Sequence, residues 1–180
     1  CRIMAEATGR LLEQDVIIQQ DYFAVTESWK TNTMDEAGFG MEGIAELYLG
    51  TGDPRIAEIG RKYIDQLIRY FEMPDGTWAR NYFRHSRLVE PPFDLTRGAG
   101  WAMMGISSAA RMGLGEEYLE KCRRMASVLM KYQNEDGSWW YRFSEADPVN
   151  GIAEKGTAVW TVMFYRLYKM MGDTQYLETA

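Results

Sequence analysis

The sequence predicts an all-α fold built from helical hairpins that repeat along the chain. Three observations carry that prediction. Residues 37–58, AGFGMEGIAELYLGTGDPRIAE, align without a gap on residues 99–120, AGWAMMGISSAARMGLGEEYLE, sharing Ala37/Ala99, Gly38/Gly100, Met41/Met103, Gly43/Gly105, Ile44/Ile106 and Glu58/Glu120. A third copy begins at Thr157 and keeps Leu47/Leu167, Tyr48/Tyr168, Gly52/Gly172, Asp53/Asp173 and Glu58/Glu178. A marker follows each full copy: Asp75-Gly76-Thr77-Trp78 and Asp136-Gly137-Ser138-Trp139. A fixed period of about 60 residues is the signature of a repeat architecture.

Each repeat reads as an inner helix, an outer helix and a decorated return. The first inner helix spans about 35–49, apolar over much of its circumference through Phe39, Ala45, Leu47 and Tyr48, and so expected to be buried. Thr33-x-x-Glu36 has the form of a capping box, and Gly50 and Gly52 are expected to stop the helix. Asp53-Pro54 restarts the chain, Asp as N-cap and Pro at the first helical position. The outer helix, about 54–71, is amphipathic, with Ile56, Ile59, Tyr63, Leu67 and Tyr70 at helical spacing.

The second repeat follows the same plan. Thr96 is expected to cap an inner helix at about 97–112, followed by an outer helix at about 116–132. The third inner helix spans about 154–171, and Asp173 caps the next. Residues 1–14 read as an outer helix without its partner. The repeats are therefore about 1–32 (partial), 33–95, 96–153 and 154–180 (partial), with short strands only at 77–83 and 139–143. Both ends fall inside a repeat, so the chain is expected to be the middle of a longer protein.

Bulk properties exclude several functions. A net charge of −6 disfavours a general nucleic-acid binder, which needs a basic face. No apolar run approaches the length of a membrane-spanning helix. Cys1 and Cys122 lack metal-ligand spacing, and with one histidine a zinc site is not expected. Cys122 is expected to be a plain buried thiol.

Inner helices that run parallel bring their N-termini to one face, where exposed N–H groups favour bound anions. The chemistry is therefore expected at three junctions. The first holds Trp29, Lys30, Thr33 and Asp35; the second holds His85, Arg87, Phe93, Asp94, Arg97 and Trp101; the third holds Asp147, Asn150, Glu154, Lys155 and Thr157. Two carboxylates on neighbouring helix starts, with aromatic walls, suit general acid/base work on a sugar. An acid at a helix start also serves simply as a cap, the plain reading of Asp35 and the expected role of Asp53 and Asp173. Asp75 and Asp136 read as turn residues, and Trp78 and Trp139 as anchors pinning those turns to the core. Asp94 is different: Thr96 is the better cap, and Arg97 stands nearby.

At these residues the chain resembles the six-hairpin glycosidases, in particular the unsaturated glucuronyl and rhamnogalacturonyl hydrolases of glycoside hydrolase families 88 and 105. The matching stretches are Thr33-Met34-Asp35-Glu36-Ala37-Gly38-Phe39, Asp94-Leu95-Thr96-Arg97-Gly98-Ala99-Gly100-Trp101 and Glu154-Lys155-Gly156-Thr157-Ala158. One residue is inserted between Asp35 and Gly38, Asp94 stands closer to its Arg-Gly than the family's acid, and the family's Ser-Gly is Lys155-Gly156 here. The resemblance implies that about three hairpins form part of an (α/α)6 toroid acting on acidic oligosaccharides. It implies that Asp94 protonates the C4=C5 bond of a terminal unsaturated uronic acid and activates water, while Asp35 holds the sugar. Arg97 or His85 would meet the uronate, and Trp101 or Trp29 would wall the ring. Glu154 and Lys155 would complete the binding face, and no metal or organic cofactor is required.

Two rival functions fit the same residues. A polysaccharide lyase or uronate epimerase on the same toroid would use Tyr82 or His85 as base, within Asn81-Tyr82-Phe83-Arg84-His85. A non-enzymatic helical-repeat scaffold would spread its aromatic and charged residues along a groove.

Overall fold

The computed structural model describes residues 18–19, 22–23, 31–79, 81–83, 88–90, 93–146 and 149–180, and the side chains of 38–79, 89, 93–146 and 149–180. Six helices lie within them: α1 (Met34–Thr51), α2 (Pro54–Phe71), α3 (Thr96–Arg111), α4 (Glu116–Lys131), α5 (Glu154–Met171) and α6 (Thr174–Thr179). The helix expected at 1–14 lies outside the described residues.

The three inner helices α1, α3 and α5 pack side by side and parallel. Along α1 and α3, contacts advance together: Gly38 meets Trp101, Glu42 accepts from Ser108, and Glu46 pairs with Arg111. Along α3 and α5, the Trp160 indole donates to the Thr96 carbonyl (2.9 Å), while further down Arg166 donates to Ser107 (3.2 Å). The repeated glycine explains how close the helices come. A Cβ at Gly38 would overlap the Trp101 carbonyl oxygen, and one at Gly100 would overlap the Val159 side chain. Only a residue without Cβ permits such backbone approach.

Outer helices pack behind their inner partners. Tyr63, Ile64, Leu67 and Phe71 of α2 and Tyr118, Cys122, Met125 and Leu129 of α4 share one core with Met41, Ile44, Met103, Ile106, Met163, Phe164 and Leu167. Neighbouring hairpins are tied at the outer surface as well. The Tyr118 hydroxyl donates to Asp65 (2.7 Å), and Lys121 pairs with Glu72 (2.7 Å).

The local signals hold where side-chain chemistry fixes the backbone. Asp53 and Asp173 cap α2 and α6, accepting from the N–H groups of Arg55 (2.9 Å) and Gln175 (3.0 Å). The Asp-Gly turns are built alike: Asp75 accepts from the N–H and hydroxyl of Thr77 (2.9 and 2.6 Å), and Asp136 from those of Ser138 (3.0 and 2.6 Å). Trp78 and Trp139 are buried behind those turns, and the Trp139 indole donates to the Leu129 carbonyl (2.8 Å). They are anchors, as expected.

Four details correct the sequence reading. Thr96 does not cap α3. It is the first helical residue, fully buried, and its hydroxyl donates to the Trp140 carbonyl, while Leu95 holds the cap position without a side-chain bond. Gly50 does not stop α1, which runs on to Thr51; the chain turns at Gly52, whose φ is +66°. The stretch read as a loop before α3 contains β5 (Leu88–Glu90), which pairs antiparallel with β4 (Asn81–Phe83), itself paired with β3 (Thr31–Thr33). A separate two-stranded ribbon joins β1 (Ile18–Gln19) and β2 (Tyr22–Phe23). Strands of two or three residues are too short for alternation to register in sequence. Finally, 139–143 forms no strand, only single bridges from Trp140 to Ile152 and from Arg142 to Leu95. None of this disturbs the helical architecture, because the sheet decorates the returns between hairpins.

Candidate functional site

The register that aligns residues 37 and 99, extended towards the N-termini, places the inner-helix starts at one repeat position: Met34, Thr96 and Glu154. The next position holds Asp35, Arg97 and Lys155, three residues singled out from the sequence. One turn further, the position holds Phe39, Trp101 and Val159. The repeat register thus places a charged position one turn ahead of a position that is aromatic in the first two copies.

The aromatic pair is a physical contact. The Phe39 and Trp101 rings lie 4.5 Å apart at 41°, with Phe39 53% exposed. Beneath it lies an ion network. Arg166 of α5 donates from Nη1 and Nη2 to both carboxylate oxygens of Glu42 on α1, each at 2.8 Å. Arg111 pairs with Glu42 (3.2 Å) and Glu46 (2.6 Å), and Ser108 donates to Glu42. A side chain joining the first and third helices of an arc must cross the concave side of the second. Ser107 and Ser108 are small enough to let it pass. Burial alone would raise the Glu42 carboxyl, but hydrogen bonds from Arg166 and Ser108, with the charges of Arg166 and Arg111, hold it below the usual carboxylate range.

Asp94 occupies a second locus. It is buried just before α3, and its carboxylate accepts from Arg142 Nε (3.0 Å) and from the Ser144 hydroxyl. Its backbone carbonyl accepts from the Phe143 N–H (2.9 Å), and the neighbouring Thr96 N–H donates to Tyr141 (3.1 Å). The return after the second Asp-Gly turn is therefore clipped along the start of α3. An open cleft of about 430 Å³ lies over Asp94, lined also by Phe93, Asp75, Thr77, Tyr132 and Arg142.

The structure brings together some of the residues predicted from sequence and separates others. Trp101 pairs with Phe39; Arg97 and Lys155 share one repeat position; Glu154 begins α5 and is exposed. Asp94 forms an ion pair with Arg142 (3.0 Å), a residue the sequence did not point to. Asp35 lies in the first turn of α1, where only its backbone is described, and Tyr82 lies in β4 on the same terms. Trp29 and His85 lie outside the described residues. Sequence reasoning passed over Phe39 as core, and over Glu42, Arg166, Arg142 and Ser144 altogether. A charged residue inside an apolar inner helix was the available signal for Glu42 and Arg166. Nothing local marks Arg142, whose partner stands 48 residues away.

Among the described residues no group of acids, cysteines or histidine is placed to hold a metal ion. No helix there is long and apolar enough to cross a membrane.

The fold is that of the six-hairpin glycosidases. A family 105 glycoside hydrolase from Clostridium, C. acetobutylicum ATCC 824, superposes with a TM-score of 0.81 at 12% identity, covering 99% of this chain and 54% of that one. The unsaturated glucuronyl hydrolase of Bacillus sp. GL1, responsible for the degradation of glycosaminoglycan, superposes with a TM-score of 0.76 at 14% identity, over 99% of this chain and 52% of that one. A polysaccharide lyase matches with a TM-score of 0.71 at 18% identity, over 96% and 51%. A D-mannose isomerase shares the fold too, with a TM-score of 0.76 at 14% identity, over 99% and 49%. The chain spans about half the length of these structures. No family model and no curated protein matches the sequence. What these neighbours share is an all-α toroid of helical hairpins that carries enzymes acting on carbohydrates, among them hydrolases, a lyase and an isomerase.

Proposed function

We propose that this chain forms part of a glycoside hydrolase that acts on uronic-acid-containing oligosaccharides by hydrating a terminal unsaturated uronyl residue. The observation that carries the reading is the repeat register: Asp35, Arg97 and Lys155 at one repeat position, with the Phe39–Trp101 pair one turn further on. Carboxylate, cations and aromatic face are the groups an acidic sugar needs, and they stand where parallel inner helices direct N–H groups outward.

In this mechanism Asp94 delivers a proton to C4 of the C4=C5 bond, and water adds to C5, its proton passing to the Asp94 carboxylate so formed. The carboxylate of Asp94 opens onto the cleft and is held in place by Arg142 and Ser144. Asp35 holds the sugar and balances developing charge, Arg97 or His85 meets the uronate, and Trp101 or Trp29 walls the ring. Glu154 and Lys155 extend the binding face. No metal or organic cofactor enters the chemistry.

The test incubates the intact protein with unsaturated uronyl oligosaccharides and follows the ultraviolet absorbance of the C4=C5 bond. Loss of absorbance is expected. A rise on saturated polyuronides would instead favour the lyase reading, in which Tyr82 or His85 is the base. Binding without turnover of either would favour a scaffold.

A further inference from the structure

We propose that Ser144 is the positioning residue that puts the transferable proton on Oδ2 of Asp94, with Arg142 barring it from Oδ1. The inference deepens the hydration reading above and rests on it.

That chemistry asks one carboxyl group to act in both protonation states within a turnover. It gives a proton to C4 as an acid and takes one from water as a base. Its neighbours must therefore satisfy it in either state. The two oxygens of Asp94 have partners of different kinds. Oδ1 accepts from Nε of Arg142 at 3.0 Å. A guanidinium carries donors only, so it satisfies a bare oxygen and meets a protonated one with hydrogen against hydrogen. Oδ2 accepts from the Ser144 hydroxyl. A hydroxyl both donates and accepts, and it rotates to suit, so it bonds Oδ2 with or without the proton. Oδ2 is thus the oxygen that gains and loses a proton without leaving a buried group unsatisfied.

The surroundings hold this division in place. Arg142 is gripped from its far end too, Nη1 pairing with Glu145 at 2.8 Å. Ser144 follows Phe143, whose N–H donates to the Asp94 carbonyl (2.9 Å), so the backbone itself carries the hydroxyl to the carboxylate. Asp94 and Ser144 line the same cleft, and Ser144 is exposed there while Asp94 is buried.

The repeat shows that the frame does not require these side chains. Leu95 bridges to Arg142 as Thr33 pairs with Asn81 one repeat earlier. In that first copy Asn32, Asn81 and Phe83 stand where the second has Asp94, Arg142 and Ser144. The backbone arrangement occurs twice, and the acid, the donor-only cation and the hydroxyl occur together once.

The experiment measures kcat and KM of the intact protein on an unsaturated uronyl disaccharide, following the C4=C5 absorbance, with thermal unfolding to confirm the fold. The variants are Ser144→Ala, Ser144→Thr, Arg142→Gln and Arg142→Gln/Ser144→Ala. Ser144→Ala is expected to lower kcat roughly 10-fold or more, the scale of a hydrogen bond to a charged group, with KM within about twofold. Ser144→Thr keeps the hydroxyl and is expected to stay within about threefold of the wild-type kcat. In the Arg142→Gln background the side-chain amide can accept a proton from Oδ1, so adding Ser144→Ala is expected to cost less than about threefold. Wild-type kcat in Ser144→Ala, or a Ser144→Thr variant as slow as Ser144→Ala, would overturn the proton assignment while leaving the hydrolase reading intact. An undiminished loss in the Arg142→Gln background would overturn the role given to Arg142. Failure of the wild type to consume the double bond would overturn both the assignment and the hydrolase reading.

Discussion

Arg166 on the third inner helix grips Glu42 on the first, both guanidinium amino groups standing 2.8 Å from the carboxylate oxygens. The two residues are 124 apart in sequence, and the second inner helix lies between them. The pair fixes how far three successive hairpins can splay.

Removing Arg166 leaves the half-buried Glu42 carboxylate only Arg111 and Ser108, and removing Glu42 leaves the Arg166 guanidinium its hydrogen bond to Ser107 without the carboxylate. Arg166→Gln is expected to cost about 3 kcal/mol, whereas the double variant Glu42→Gln/Arg166→Gln is expected to cost less than Glu42→Gln and Arg166→Gln added. Chemical denaturation of the four proteins checks the coupling.

The same pair gives a pH dependence. The Glu42 carboxyl is depressed in the folded protein, so its contribution is complete above the ordinary carboxylate value of 4.5 and is lost as pH falls through the depressed value. Stability measured from pH 7 down to 3 is expected to fall less steeply in Glu42→Gln than in the wild type.

Packing predictions follow from the turns. Trp139 is fully buried against Trp160 and Phe164, with ring centroids 6.5 and 5.9 Å away, and its indole is hydrogen-bonded. Trp139→Ala is expected to cost about 3–5 kcal/mol, and Trp139→Phe markedly less, by thermal or chemical unfolding.

Cys122 is buried in α4, and burial pushes its thiol up to about 12. The native protein is expected to leave it unmodified by a thiol reagent at pH 8, with full reaction after unfolding. Rapid modification in the folded state would show that the hairpins α1–α2 and α3–α4 open locally.

The hairpin plan was legible because it is written twice in the same letters. Asp53-Pro54, Asp173 and the two Asp-Gly turns act through bonds two residues long, so their outcome is local and readable. Thr96 misled for the same reason: as a threonine before an apolar run it looks like a cap, but the Trp140 carbonyl, 44 residues away, takes its hydroxyl. Short strands such as β3 and β5 carry too few residues to show a period, whereas β4 falls inside the stretch read as a strand at 77–83. At the candidate site, Asp94, Arg97 and Trp101 were visible by type and position. Arg142 and Ser144 were not, because which loop settles over Asp94 is a tertiary matter. Phe39 was read as core because composition cannot tell the concave side of an inner helix from its packed side.

The central claim is that Asp94 carries the chemistry. The most direct measurement compares the intact wild type with Asp94→Asn and Tyr82→Phe on an unsaturated uronyl disaccharide, following the C4=C5 absorbance. The expected result is a loss of at least about 100-fold in rate for Asp94→Asn, the scale of a removed general acid/base, with Tyr82→Phe retaining activity. Turnover by Asp94→Asn at the wild-type rate would contradict the claim and leave the carboxylate as a clip between Arg142, Ser144 and the start of α3.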